Sequence, residues 1–288
     1  MRWADIEVTT TPQAQDAVSN IMMENGCGGV AIEGEAPVVV RCYLPVDDQL
    51  EGRLLVIRGK VRSLPDLGLE AGPGEITVKY AEDEDWAEAW KAFYHVSKPG
   101  RRIVIKPAWE EYEPKQGERV IELDPGMAFG TGLHPTTRSC IIALEKYLKP
   151  GMRVVDFGTG SGLLAIAAAK LGASLVIAFD ADETAVRVAR DNVVANKVDD
   201  RIEVHQTDNI RFVGQSIDLI AANLVAQTII ENADVMAGVL RTGGILIASG
   251  IIEEMLLDVE QALRNGGFDI AAIKSEGEWR TVIARRAG

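Results

Sequence analysis

The chain has 288 residues, enough for two domains with a substantial core. Its 43 acidic and 30 basic residues give a formal net charge of −13, which opposes binding along phosphate backbones and favours a basic protein or a small cation as partner. Direct nucleic-acid binding is therefore not expected. Cys27, Cys42 and Cys140 are scattered without metal-ligand spacing, so they read as buried free thiols in a reducing compartment, and no metal site is expected. With no basic-then-apolar leader and no stretch of membrane-spanning length, the expected location is the cytoplasm, away from membranes.

In chain order, Ile6–Thr9 alternates as a strand does, Pro12–Glu24 reads as a helix, and Cys27–Gly34 and Pro37–Leu44 read as strands. A helix over Asp47–Ser63 and an extended Glu75–Tyr80 complete a strand, helix, two strands, helix, strand order. This order predicts a small ferredoxin-like α+β domain over residues 1–80. The acidic run Glu82–Asp85 then opens a helical connector through about Tyr94, within a linker placed at 81–98. Trp86 and Trp90, four apart, share one face of it, a spacing that usually marks packing. Arg102–Ile105 and Arg119–Leu123 predict two strands at the entrance to a larger domain over 99–288.

From Lys149 the alternation is regular, with strands at Arg153–Phe157, Leu175–Phe179, Ile202–His205, Ile217–Ala222 and Ile245–Ser249, and helices between them such as Asp182–Asn196. That pattern predicts a doubly wound, Rossmann-like parallel sheet. The last two strands, Asp269–Lys274 and Glu278–Arg285, flank a short Ser275-Glu276-Gly277 turn and predict an antiparallel hairpin at the sheet edge.

Chemistry concentrates at the carboxyl ends of these strands. Val154–Gly162 runs from a buried strand over Gly158, Gly160 and Gly162 into the Leu- and Ala-rich run Leu163–Leu171, the layout of a nucleoside-cofactor site at a helix N-terminus. Asp156 places a carboxylate beside that loop, which would repel a pyrophosphate and attract the ammonium or sulfonium of S-adenosylmethionine. A dinucleotide is the rival, because Gly160–Ala165 also matches its fingerprint, but two residues late in register. Asp180, eighteen residues past Gly162, is positioned to accept from ribose hydroxyls, and Thr207-Asp208-Asn209 from an adenine edge. Asn223, at the end of the fourth strand, stands on the sheet's ligand-binding edge, as a ligand contact or as a strand-end turn residue.

Upstream, Asp124–Thr137 is dense in glycine and threonine, as a loop that folds closely over a ligand would be. The hydroxyls of Thr131, Thr136 and Thr137 are candidates for ligand contact or helix capping. His134 is open between a base and a structural residue.

A terminal antiparallel strand together with Asp156, the glycine loop and Asp180 is similar to what class I S-adenosylmethionine-dependent methyltransferases carry. The Asp85–Lys91 connector, the Asp124–Thr137 loop, the glycine loop and Asn223-Leu224-Val225-Ala226 further resemble the bacterial methyltransferases of large-subunit ribosomal protein eleven, over about residues 80–288. The resemblance implies a small amino-terminal recognition domain, a swinging helical linker and a domain that methylates lysine and amino-terminal amines of that ribosomal protein. It places cofactor contacts on Thr137, Gly158, Asp180 and Asn223, with Phe129–Thr131 near the methyl group. A monomer is expected. A class I methyltransferase acting on a small molecule or RNA is the alternative.

Overall fold

The computed structural model describes residues 2–27, 30–34, 36–47, 49–67, 69–82, 95–123 and 134–288. They divide into two compact units, Met1–His95 and Val96–Gly288. The expected connector helix, with Trp86 and Trp90, lies outside the described residues, as does the loop that carries Phe129 and Thr131.

In the first unit, strands β1 (Arg2–Thr10), β2 (Ala31–Glu33), β3 (Val38–Pro45) and β4 (Glu75–Glu82) form an antiparallel sheet in the order β2-β3-β1-β4. Helices α1 (Gln15–Glu24) and α2 (Leu50–Ser63) intervene, so the elements follow the predicted order. Along β3 the residues alternate buried and half-buried, the period-2 signature of a sheet with one covered face. The covered face is Ala4, Ile6 and Val8 against Val38, Val40, Cys42 and Leu44, packed on Val18 and Met22 of α1 and Leu54, Ile57 and Val61 of α2. The opposite face is polar. There the guanidinium of Arg41 grips the Asp5 carboxylate through two bonds of 2.8 and 2.6 Å, with Glu7 at 3.0 Å.

Cys27 and Cys42 are joined in a disulfide, with Cα atoms 6.0 Å apart, which corrects the expectation of three free thiols. Both sulfurs point into the same core, because the turn after α1 brings Cys27 over the inward face of β3. Cys140 alone is free and buried.

In the second unit, β5 (Ile103–Lys106) and β6 (Arg119–Glu122) pair in parallel as a separate ribbon. The main sheet has seven strands: β7 (Arg153–Phe157), β8 (Leu175–Asp180), β9 (Ile202–Gln206), β10 (Ile217–Asn223), β11 (Leu240–Ile252), β12 (Phe268–Glu276) and β13 (Trp279–Arg286). Their spatial order is β12-β13-β11-β10-β7-β8-β9. All neighbours are parallel except where β13 pairs with β11 and β12. The hairpin is therefore at the edge as predicted, but its returning strand β13 lies inside and β12 is outermost. The turn is only Gly277-Glu278, and Gly277 has a φ of 57°.

Alternate residues of the inner strands feed two cores. Val154, Val176, Ala178, Leu219, Ala221 and Ile247 face one side, while Val155, Ile177, Phe179, Ile220, Ala222 and Leu246 face the other. Strands buried on both faces need helices on both sides. The helices are α3 (Pro135–Tyr147), α4 (Leu163–Leu171), α5 (Glu183–Ala195), α6 (Ala226–Glu231), α7 (Ala233–Val239) and α8 (Leu256–Asn265). Every residue of α4 except Lys170 is buried, which explains a composition of Leu, Ile and Ala without an amphipathic stripe. The single helix expected between β10 and β11 is two short ones that share Asn232, and β11 begins five residues earlier than predicted. Among the described residues no helix is long and apolar enough to cross a membrane.

The ribbon is tied to this core by side chains. Glu145 of α3 accepts backbone N–H groups of Arg101, Arg102 and Ile103 at 2.7–2.8 Å, and Asn196 exchanges two bonds with the backbone of Glu122, 2.9 and 2.6 Å long. Replacing Glu145 by Ala strips three donors of their acceptor, and we expect a loss of about 1–3 kcal/mol in urea unfolding. An unchanged midpoint would show that water replaces the carboxylate without cost.

Candidate active site

The site is built where β7 and β10 are neighbours but their chain connections diverge, the switch point at which ligands bind in open α/β sheets. At the end of β7 the chain turns over residues 158–162. Thr159 and Ser161 are buried while Gly158 and Gly160 are half-exposed, so the hydroxyls turn inward and the glycines line the open edge. Gly158, Gly160 and Gly162 have φ of 72°, 53° and 83°, a region that costs other residues about 1–2 kcal/mol. Space forbids side chains as well: a Cβ on Gly158 would strike the side chain of Leu224, and one on Gly162 would come within 3.2 Å of Ala189.

The turn is clasped by the next strand. The N–H groups of Gly158 and Thr159 both donate to the Phe179 carbonyl at 3.0 Å, and that of Gly160 donates to Asp180 Oδ2 at 2.9 Å. Asp180 Oδ1 accepts from Asp182 N at 3.1 Å. Asp180 remains half-exposed, and each carboxylate oxygen keeps a free lone pair toward the edge.

Asp156 differs from what the sequence predicts. Its carboxylate does not stand open beside the loop but is 1% exposed. Oδ2 accepts from Thr159 Oγ1 at 2.7 Å and from Ala165 N, in the first turn of α4, at 3.0 Å. Oδ1 is buried without a hydrogen-bond partner among the described residues. Burial pushes the carboxyl pKa up to about 7 from 3.8, against the opposing bonds from Thr159 and Ala165. The helix N-terminus that the sequence offered to a ligand is thus partly taken by Asp156 itself.

On the β10 side, Asn223 Nδ2 donates to Thr137 Oγ1 at 3.2 Å, so residues 86 positions apart meet at the same edge. Thr137 is buried in the first turn of α3. The cap of that helix is His134, not a threonine: its Nδ1 accepts from Thr136 N at 3.4 Å and lies 2.7 Å from Thr136 Oγ1. Burial lowers its pKa, which keeps the imidazole neutral and Nδ1 able to accept. His134 also stacks edge-on against Trp279 with ring centroids 4.9 Å apart. Asp208 is exposed beyond β9, while Thr207 and Asn209 beside it are spent on the local turn.

Leu224, Gly250, Ser249 and Thr281 complete the edge. Leu224 sits against Gly158, and its carbonyl is so close to Gly250 that a Cβ there would collide with it. Ser249 Oγ donates to the Thr136 carbonyl at 3.3 Å and lies 2.7 Å from Thr281 Oγ1, tying β11, β13 and α3 together. Only Leu224 had a visible signal, as the neighbour of Asn223.

The sequence profile described as Ribosomal protein L11 methyltransferase (PrmA) matches residues 2–287. The chain belongs to this family. It is 42% identical to the ribosomal protein L11 methyltransferase of Bacillus cytotoxicus and 38% identical to that of Alkaliphilus oremlandii, in both cases over the full length of both chains. Among solved structures it is similar to the ribosomal protein L11 methylase of Lactobacillus delbrueckii subsp. bulgaricus. That match has 36% identity and a TM-score of 0.64, covering 68% of this chain and all of the other. S-adenosylmethionine is the methyl donor of this family's reaction, and the edge fits it. Backbone is bared at Gly158 and Gly160, Asp180 presents free lone pairs, and Asp156 holds an unpaired buried oxygen behind the loop.

The Asp156 carboxyl has a folded pKa raised above its unfolded value, so its contribution to stability is fully present below about 3.8 and is lost as pH rises through about 7. Asp156→Asn cannot ionise. In the absence of cofactor, the variant should therefore gain on the wild type between pH 5 and pH 7, by about 2–3 kcal/mol in urea unfolding, and hold that lead above pH 7. A gap that stays constant with pH would mean that the folded carboxyl is already ionised at pH 5 and that burial does not raise its pKa.

Proposed function

We propose that the chain transfers methyl groups from S-adenosylmethionine to amino groups of ribosomal protein L11, both lysine side chains and the amino terminus. The family match over residues 2–287 supports the protein acceptor. The observation that carries the reaction is the meeting of Asn223 and Thr137 beside the Gly158–Gly162 turn.

When bound, the cofactor supplies a methyl group on a positively charged sulfur. Gly158, Gly160 and Gly162 would cradle it, Asp180 would accept from its ribose and Asp208 would face its base, while Asp156 supports the loop from within through Thr159 and Ala165. Because Asn223 spends Nδ2 on Thr137, Oδ1 is left to accept an N–H of the incoming amine and hold its lone pair in line. The amine must arrive neutral, and a dry pocket lowers a lysine pKa from about 10.4 by penalising its charged form. The proton that the amine gives up in becoming neutral would leave to solvent. Phe129 and Thr131 are assigned to the wall nearest the methyl group.

Residues 1–80 are assigned to recognition of the acceptor and 81–98 to a linker that lets several amines reach one site. The acidic balance of the chain suits a basic partner. The protein acts as a monomer in the cytoplasm.

With labelled S-adenosylmethionine and purified L11, label should enter the protein. Label that enters ribosomal RNA or a metabolite fraction instead would refute the protein acceptor. Asn223→Ala should lower kcat by about 100-fold in a methylation assay at saturating S-adenosylmethionine. Asp180→Ala should weaken S-adenosylhomocysteine binding by about tenfold or more in calorimetry, since it removes charge-assisted acceptors. Equal binding by wild type and Asp180→Ala would remove Asp180 from the cofactor site.

A further inference from the structure

The catalytic unit has a second depression, at the amino-terminal ends of the parallel strands and so across the sheet from the glycine turn. It has a volume of about 520 Å³, and its lining includes Arg119, Lys170, Lys197 and Arg201. These four cations come from separate segments: the start of β6, the last turn of α4, the turn after α5 and the residue before β9. In a chain of net charge −13, such a cluster needs a reason.

Local carboxylates do not balance it. Glu118, also in the lining, is occupied by Lys98 Nζ at 2.7 Å, Tyr112 Oη at 2.6 Å and Lys115 N at 2.8 Å. Glu122 is paired with Lys106 at 2.8 Å. Arg201 has a long 3.5 Å contact with Asp200 and donates to the Ala169 carbonyl at 3.0 Å. Among the described residues, no carboxylate lies within ion-pair distance of Arg119, Lys170 or Lys197. Lys170 is half-buried, and its pKa is lowered by that burial; Glu122 opposes the shift, and Arg201 and Lys197 add to it. Four like charges around one hollow repel each other, and an anion would relieve that repulsion.

We propose that this depression binds a small phosphorylated anion of nucleoside-phosphate size through Arg119, Arg201, Lys170 and Lys197. Planar guanidinium groups match phosphate oxygens in pairs, and ammonium groups add compact charge. The volume lies within the range of about 300–1,000 Å³ usual for small-ligand sites. The long-range field selects against a polymer. A nucleic acid would extend over the acidic surface, whereas a compact dianion senses only charges within a Debye length of about 8 Å. The occupant would not compete with the methyl donor, which belongs to the opposite edge of the sheet.

The test is calorimetric titration of the full chain with inorganic pyrophosphate and with uridine diphosphate, whose base differs from that of the methyl donor. The comparison is the double variant Lys170→Met/Lys197→Gln, in which Met keeps the apolar packing of the buried stem. The wild type should show saturable binding of one anion per chain, weakened about tenfold or more in the double variant and by added salt. S-adenosylhomocysteine binding should be the same in both proteins, which shows that the variant is folded and separates this proposal from the methyl-transfer reading. Absence of binding, or equal binding by wild type and variant, overturns the proposal. A short single-stranded RNA that displaces both small anions also overturns it, because the site would then belong to a polymer.

Discussion

The catalytic unit depends on a clasp between two neighbouring strand ends. The Phe179 carbonyl takes two N–H donors from the turn after β7, and the Asp180 side chain takes a third. These bonds fix where the strand stops and force the chain through three left-handed glycines into a helix with one half-exposed residue. Once the turn is set, Asp156 is drawn inward to cap the helix start, and Asn192 of α5 holds the Ser161 carbonyl from the far side at 2.8 Å. Leu224 then rests on Gly158 and Gly250 on the Leu224 carbonyl, which carries the order outward to β10 and β11.

Two carboxylates flank this turn, and their environments divide the work between them. Asp180 stays at the half-exposed edge with spare lone pairs, whereas Asp156 is sealed and holds its proton to near neutrality. A charge sealed in protein needs a partner of opposite sign nearby or must give up its charge. Asp156 meets this by holding its proton to near neutrality, so it supports the turn from within rather than reading the charge of a ligand beyond it.

What the chain revealed in one dimension was local periodicity. A strand such as Leu175–Phe179 was legible because residues buried on both faces read as an unbroken apolar run, and Asp180 because a strand end followed by a helix places it at the edge. Contacts spanning long stretches of sequence were not. Nothing in the sequence linked Thr137 to Asn223, or Ser249 to Thr281 and Thr136, since those pairs meet only after the sheet has assembled. The Cys27–Cys42 bond was hidden for the same reason. His134 as a cap was illegible because imidazole seldom fills that position, which Ser, Thr, Asp and Asn dominate. Burial of Asp156 could not be read from a strand in which the neighbouring residues face alternate sides.

The returning strand β13 is inserted between β11 and β12, and its Thr281 closes the hydroxyl cluster that steadies α3. Without β13, the side of β11 away from β10 would be a bare margin and the first turn of α3 would lose a tie, so a strand more than a hundred residues along the chain from the glycine turn helps to hold the helix that carries Thr137.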